Sequence, residues 1–158
     1  DEIAATLDRL GLRNYMVEVG GEIRVRGERL PGEAWRLAIE APDAPGRRVH
    51  RLLRLRDMAM ATSGDYRSFI EHEGGRYSHT IDPRAGGPIK TRVASATVLR
   101  PSAAEADALA TAMGVLGITE GLELARQKSW AVYLLERCES GLCSHSSPAF
   151  QRLLDGGE

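Results

Sequence analysis

"RVASATVLRPSAAEADALATAMGVLG", residues 92–117, is where the character of the chain changes. Residues 92–100 are small and β-branched, the composition of a strand. From Ser102 the apolar spacing becomes helical, with Ser102 placed to cap the first turn and an acid close behind it. A second helical stretch follows in "ITEGLELARQK", residues 118–128, with Thr119 as its cap candidate.

Upstream of this junction the pattern is mostly strand. "NYMVEVGGEIRVRGE" alternates at Tyr15, Val17 and Val19, then at Ile23 and Val25, and reads as a hairpin with a Gly20-Gly21 turn or one bulged strand. "AWRLAIEAP" alternates through Trp35, Leu37 and Ile39, and "HRLLRLRDMAMATSG" supplies one or two further strands. "YRSFIEHEGGRYSHTID" reads as a hairpin around Glu73-Gly74-Gly75. Downstream, "SWAVYLLER" returns to strand and "SHSSPAFQRLL" reads as a turn and a short helix. The fold class that follows is α+β: a mainly antiparallel sheet with helices packed on one face.

The first residues, "DEIAATLDRLGL", are helical, with Ile3, Leu7 and Leu10 on one stripe, Gly11 at the C-terminal end and Asp1 as the N-cap candidate. A chain of 158 residues is sized for a single domain with its own core. A net charge of -1, with Lys and Arg scattered, points away from nucleic acid. No apolar run approaches the ~20 residues of a membrane span, so no membrane contact by this chain is expected. Cys138 and Cys143 are read as plain thiols, with a small-loop disulfide as the alternative, because a metal site needs more ligands.

Three groups of residues carry candidate chemistry. Asp107 and Thr111, four apart on a helix, share a face and offer two oxygens suited to a hard cation such as Mg²⁺. The bland reading is a dipole-stabilised acid and a hydroxyl bonded back to a carbonyl. His79, at a strand end in "YSHTIDPRAGGPIK" (77–90), can serve as a base, or can simply form a structural pair with Asp82. Asp82 before Pro83 is a turn opener, while Arg84 either faces solvent or meets a phosphate. "ATSGDYRSF" is read as a turn at Ser63, Gly64 and Asp65, since no G-x-S-x-G elbow is present. His72 and His145 have no partner nearby in sequence and are read as surface residues.

Taken in order, "NYMVEVGGEIRVRG", "ATSGDYRSF", "YSHTIDPRAGGPIK", "VASATVL", "EADALATAMGVLG" and "SWAVYLLER" resemble the ApbE family of FAD:protein FMN transferases, over about residues 1–150. The S-H-x-I-D-P-x-x-G-x-P loop and the A-D-A-x-x-T helix are the most specific pieces. The resemblance implies transfer of FMN from FAD to a threonine hydroxyl of an acceptor protein, with Mg²⁺ on the pyrophosphate. It implies Asp107 and Thr111 as metal ligands, His79 as the base for the acceptor hydroxyl, and Ile81 as an FAD contact. Ala110 stands where some members carry an acid, so one side-chain ligand is lost from this helix.

The resemblance also implies a glycine-rich flavin and metal segment upstream of Asp1, so that the chain corresponds to the C-terminal half of a transferase. On that expectation the missing N-terminal half is a partner of the site, and any export signal or lipid anchor, hence a periplasmic or membrane-anchored setting, belongs to it. Two other functions stay in view: FAD hydrolysis to FMN and AMP, and a non-catalytic flavin-binding domain.

Overall fold

The strand at residues 93–100 is the centre of the fold, because every residue from Val93 to Leu99 is buried. In the computed structural model, residues 43–45, 47, 65–68, 73–74 and 156–158 are not described; the rest of the 158 are. The chain runs α1 (Glu2–Arg9), β1 (Tyr15–Val19), β2 (Glu22–Arg26), β3 (Trp35–Glu40), β4 (Val49–Leu55) and β5 (Met58–Gly64). It continues through β6 (Phe69–His72), β7 (Gly75–Ser78), β8 (Ile81–Asp82), β9 (Gly87–Pro88) and β10 (Val93–Arg100). Last come α2 (Ala103–Lys128), β11 (Ala131–Cys138), β12 (Gly141–Ser146) and α3 (Pro148–Asp155).

A six-stranded, wholly antiparallel sheet has the order β1-β2-β5-β10-β11-β12. Strand side chains alternate between faces, so β10 and β11 feed two cores. Ala96, Val98, Val132 and Leu134 pack with Ala106, Ala110 and Met113 of α2. Leu99, Tyr133 and Leu135 pack on the other face with Leu37 and Ile39 of β3, Leu53 and Leu55 of β4, and Phe150 of α3. The α+β antiparallel architecture stands as expected, but the helices do not share one face: α3 lies with the β3–β4 ribbon, opposite α2. The physical reason is that β10 and β11 are buried on both sides, with Leu99, Tyr133 and Leu135 on one and Val98, Val132 and Leu134 on the other, and both sides need cover.

Local chemistry fixes α3. Ser147 is buried, accepts from the Phe150 N–H at 3.2 Å, and precedes Pro148 at the first helical position. Its hydroxyl also donates to the Trp130 carbonyl and accepts from the Val132 N–H, fastening α3 to β11. Phe150 is fully buried and stacks on Tyr133 with ring centroids 5.0 Å apart, so truncating it to alanine costs about 3–5 kcal/mol.

Several expectations are corrected. Ser63 and Gly64 belong to β5 rather than to a turn, and Asp65 lies outside the described residues. Residues 144–146, expected as turn, belong to β12, which closes a hairpin with β11 through Cys138↔Gly141. Across that hairpin Cys138 and Cys143 form a disulfide with Cα atoms 5.9 Å apart, which overturns the plain-thiol reading. His145 is half-buried and bonded to Glu136 at 2.9 Å, so it is no isolated surface residue: the strand register brings the two together. The β6–β7 hairpin forms, with Glu73 and Gly74 of its turn outside the described residues.

The apolar stripe expected on α1 is reversed. Ile3 and Leu10 are exposed, and the helix buries Ala4 instead, against the Tyr15 hydroxyl that donates to the Ala4 carbonyl. The two expected late helices form one 26-residue element broken at Gly117. Gly117 has φ +76° and ψ −173°, a backbone region open essentially to glycine alone, so the break needs a glycine at this position. By length and a mean hydropathy of 1.3, α2 is apolar enough to cross a bilayer, contrary to the reading of the sequence. Its apolar character is used on the sheet, where Ala106, Ala110, Met113, Gly121 and Ala125 are buried.

Candidate functional site

The sheet has a notch because β5 outruns β2. β2 pairs with β5 only from Met58 to Met60, whereas β10 pairs with it from Ala59 to Gly64. The Gly20–Gly21 turn ends the β1–β2 hairpin there, with φ of +68° and +114° that glycine adopts without strain. The result is a cavity of about 500 Å³ bounded by this turn, by Arg36 and Ala38 of β3, by Thr62–Gly64 of β5, and by Asp107 and Thr111 of α2. His79 and Thr80 close its far side.

Alanines bring α2 close to the sheet at this point. Ala106 and Ala110 are fully buried and pack in one cluster with Ala61 and Ala96. Asp107 and Thr111 each stand one position further along, so both are exposed at the cavity wall. The close approach lets the Thr111 hydroxyl meet the Ser63 hydroxyl at 2.9 Å. The N-terminus of α2 is held twice: Ser102 accepts from the Glu105 N–H, and the Asp1 carboxylate accepts from the N–H groups of Ala103 and Ala104. Asp1 was expected to cap its own helix; its side chain makes no such bond and serves α2 instead.

The loop at 77–90 is a miniature hairpin. β8 and β9 pair through Ile81↔Pro88 and Asp82↔Gly87, and the Ile89 N–H donates to the Thr80 carbonyl at 3.0 Å. Asp82 opens the turn by accepting from the Arg84 N–H at 2.9 Å, and its carbonyl accepts from Gly86. The Arg84 guanidinium grips both Asp82 oxygens and reaches Glu120 of α2 at 2.9 Å. Arg84 is solvent-exposed, as one of the two readings had it, and from the surface it clips the loop to α2. That contact holds the Asp82 carboxyl below the usual carboxylate range and pushes the Arg84 guanidinium up.

His79, Asp107 and Thr111 thus line one cavity, although they come from a loop and a helix. Ile81 does not line it: it is 52% exposed on β8, beside the mouth. Sequence reading passed over Ser63, the Gly20–Gly21 turn, Glu18 and Glu22, which line the same cavity. The signal available for Ser63 was its period: two residues after Ala61, it must face α2.

The charge of the wall bears on what fits. Among the described residues, Glu18, Glu22, Glu40 and Asp107 line the cavity against one arginine, Arg36. An anionic phosphate entering such a wall needs a cation between it and the carboxylates. Among the described residues no group of three or more His, Cys, Asp or Glu side chains forms a closed metal cage. Where α2 meets β5, Asp107, Thr111 and Ser63 offer one carboxylate and two hydroxyls, hard oxygens in partial number, which suits Mg²⁺ completed by water and phosphate oxygens rather than zinc.

Comparison with known proteins agrees in one direction. The model of the ApbE family matches residues 1–134. The chain is 45% identical to the FAD:protein FMN transferase of Haemophilus influenzae over its whole length, and 43% identical to that of Vibrio cholerae over 98% of it. It spans about half the length of these curated relatives, 46% in both cases. Among solved structures, the apo crystal structure of the Pseudomonas stutzeri flavinyl transferase ApbE superposes with a TM-score of 0.84 at 39% identity, covering 100% of this chain and 48% of that one. The Vibrio cholerae flavin transferase ApbE gives 0.83 at 40% identity, covering 96% and 48%.

Proposed function

The chain belongs to the ApbE family, and from that premise we propose that its notch cavity is part of a site that transfers FMN from FAD to a hydroxyl of an acceptor protein, a threonine in our reading. The observation that carries the proposal is the convergence of His79, Asp107, Thr111 and Ser63 on one cavity of about 500 Å³. The reaction joins the acceptor oxygen to the phosphorus on the FMN side of the FAD pyrophosphate. The P–O–P bond breaks, AMP leaves with the bridging oxygen, and the hydroxyl proton must be taken up.

His79 is the residue we assign to take that proton, since an imidazole nitrogen can act as a general base and this one sits on a loop held in place by Arg84. Asp107 and Thr111 would hold Mg²⁺, which neutralises charge on the pyrophosphate when bound. The Gly20–Gly21 turn leaves the cavity wall without side chains, so a ligand can lie against backbone. Ile81, exposed beside the mouth, offers an apolar surface to a flat ring such as the isoalloxazine. Relatives are about twice as long, and the complete site draws on residues beyond these 158. We place the protein outside the cytoplasm, as the resemblance implies.

The test incubates the full encoded chain with FAD, Mg²⁺ and a threonine-bearing acceptor, following flavin fluorescence on the denatured acceptor and AMP release. The proposal expects one AMP per flavin attached and loss of both with a chelator. AMP released without acceptor, and no labelling when acceptor is present, would identify a hydrolase and overturn it.

A further inference from the structure

We infer that Ser63 is a positioning residue for the metal: its oxygen accepts a hydrogen bond from the Thr111 hydroxyl, so that the Thr111 oxygen turns a lone pair to the cation. This rests on the reading of Asp107 and Thr111 as Mg²⁺ ligands, and it assigns a role to a serine of the sheet that the reading leaves idle.

Ser63 stands opposite Ala96 on the face of β5 that carries Ala61, the face covered by α2. With alanines on both sides of this contact, the helix lies close enough for Ser63 and Thr111 to share a hydrogen bond of 2.9 Å. A threonine hydroxyl has one proton and two acceptor lone pairs. Without a cation either hydroxyl of the pair can donate. A cation on Thr111 Oγ1 repels a proton pointed at it, so the proton must turn away, and Ser63 Oγ is the acceptor that lies there. The bond then has one direction, from Thr111 to Ser63.

Direction has a second consequence. With its oxygen occupied as acceptor, the Ser63 hydroxyl must donate elsewhere, and Ser63 itself lines the cavity. A phosphate oxygen held by the same cation is the acceptor such a hydroxyl would meet. Ser63 thereby links the polarity of the metal ligand to that of the anionic substrate, and its effect passes through Thr111.

The experiment measures Mn²⁺ affinity of the full encoded chain by the loss of the free-ion electron paramagnetic resonance signal, without turnover. Ser63→Ala is expected to weaken Mn²⁺ binding about 10-fold or more, the range for outer ligand-orienting groups, and Ser63→Thr to restore it. In a Thr111→Ala background, Ser63→Ala should change nothing further, which a merely structural serine would not obey. If Asp107→Ala and Thr111→Ala weaken binding and Ser63→Ala does not, the positioning role is wrong while the metal site stands. Should Asp107→Ala and Thr111→Ala also leave Mn²⁺ affinity unchanged, both the metal reading and this inference fall.

Discussion

The carboxylate of Asp1 caps a helix that begins a hundred residues later: its Oδ2 accepts from the backbone N–H of Ala104 at 3.0 Å, across a sequence separation of 103. The same carboxylate binds the Ala103 N–H, the Ser102 hydroxyl and Arg24, so α1, β2 and α2 meet at one residue. Anions are favoured at a helix N-terminus, and this one sits a single turn before Asp107.

Asp1→Ala should therefore lower stability by about 0.5–2 kcal/mol, the usual cost of a lost cap. The diagnostic reading is hydrogen exchange. Protection should fall at Ala103 and Ala104, on α2, and stay unchanged in the body of α1, because the Asp1 side chain makes no bond to its own helix.

Arg84 separates loop placement from folding. Arg84 and Glu120 are exposed and Asp82 is partly so, and exposed ion pairs contribute only about 0–1 kcal/mol, so Arg84→Ala should melt within a few degrees of the parent. The loop carrying His79 loses its hold on α2, and small misplacements of a reacting group cost up to about 100-fold. Flavin transfer by this variant should drop 10- to 100-fold, measured under saturating FAD beside a thermal melt.

His50 supplies a pH dependence unrelated to the cavity. It is partly buried against the Tyr133 hydroxyl at 2.9 Å, and burial, with Arg51 and Arg48 nearby, pushes its imidazole below the ordinary value of 6.5. The folded state thus prefers the neutral ring, and the unfolded chain binds a proton first as pH falls. The contribution is fully present above pH 6.5 and is lost as the medium is acidified below it. The melting temperature should decline between pH 7 and pH 5.5, and His50→Gln should flatten that decline.

Much of the fold was legible because period and caps act locally. The strand at 93–100, the helical start at Ser102 and the alternation through Trp35, Leu37 and Ile39 all appear where their side-chain patterns place them. What escaped depended on partners distant in sequence. Nothing near Asp1 says that it will cap α2, and the spacing of Cys138 and Cys143 left the disulfide as an alternative that the β11–β12 hairpin decides. Residues 141–146 are too polar for a strand on their own pattern and are drafted into one by β11. In the site, helical spacing put Asp107 and Thr111 on one face and His79 stood before a rigid turn, but only the family resemblance implied roles for them. Ser63 went unassigned, because its meaning comes from a helix 48 residues away.

The central claim is that His79 and Asp107 serve one transfer reaction in one cavity. The most direct measurement is the initial rate of flavin appearance on the acceptor for His79→Ala and Asp107→Ala, with FAD and Mg²⁺ saturating for the parent. The account predicts a fall of at least about 100-fold in each, the scale of a lost base, with the Asp107 variant partly recovered by excess metal. Rates equal to the parent in both variants would contradict it.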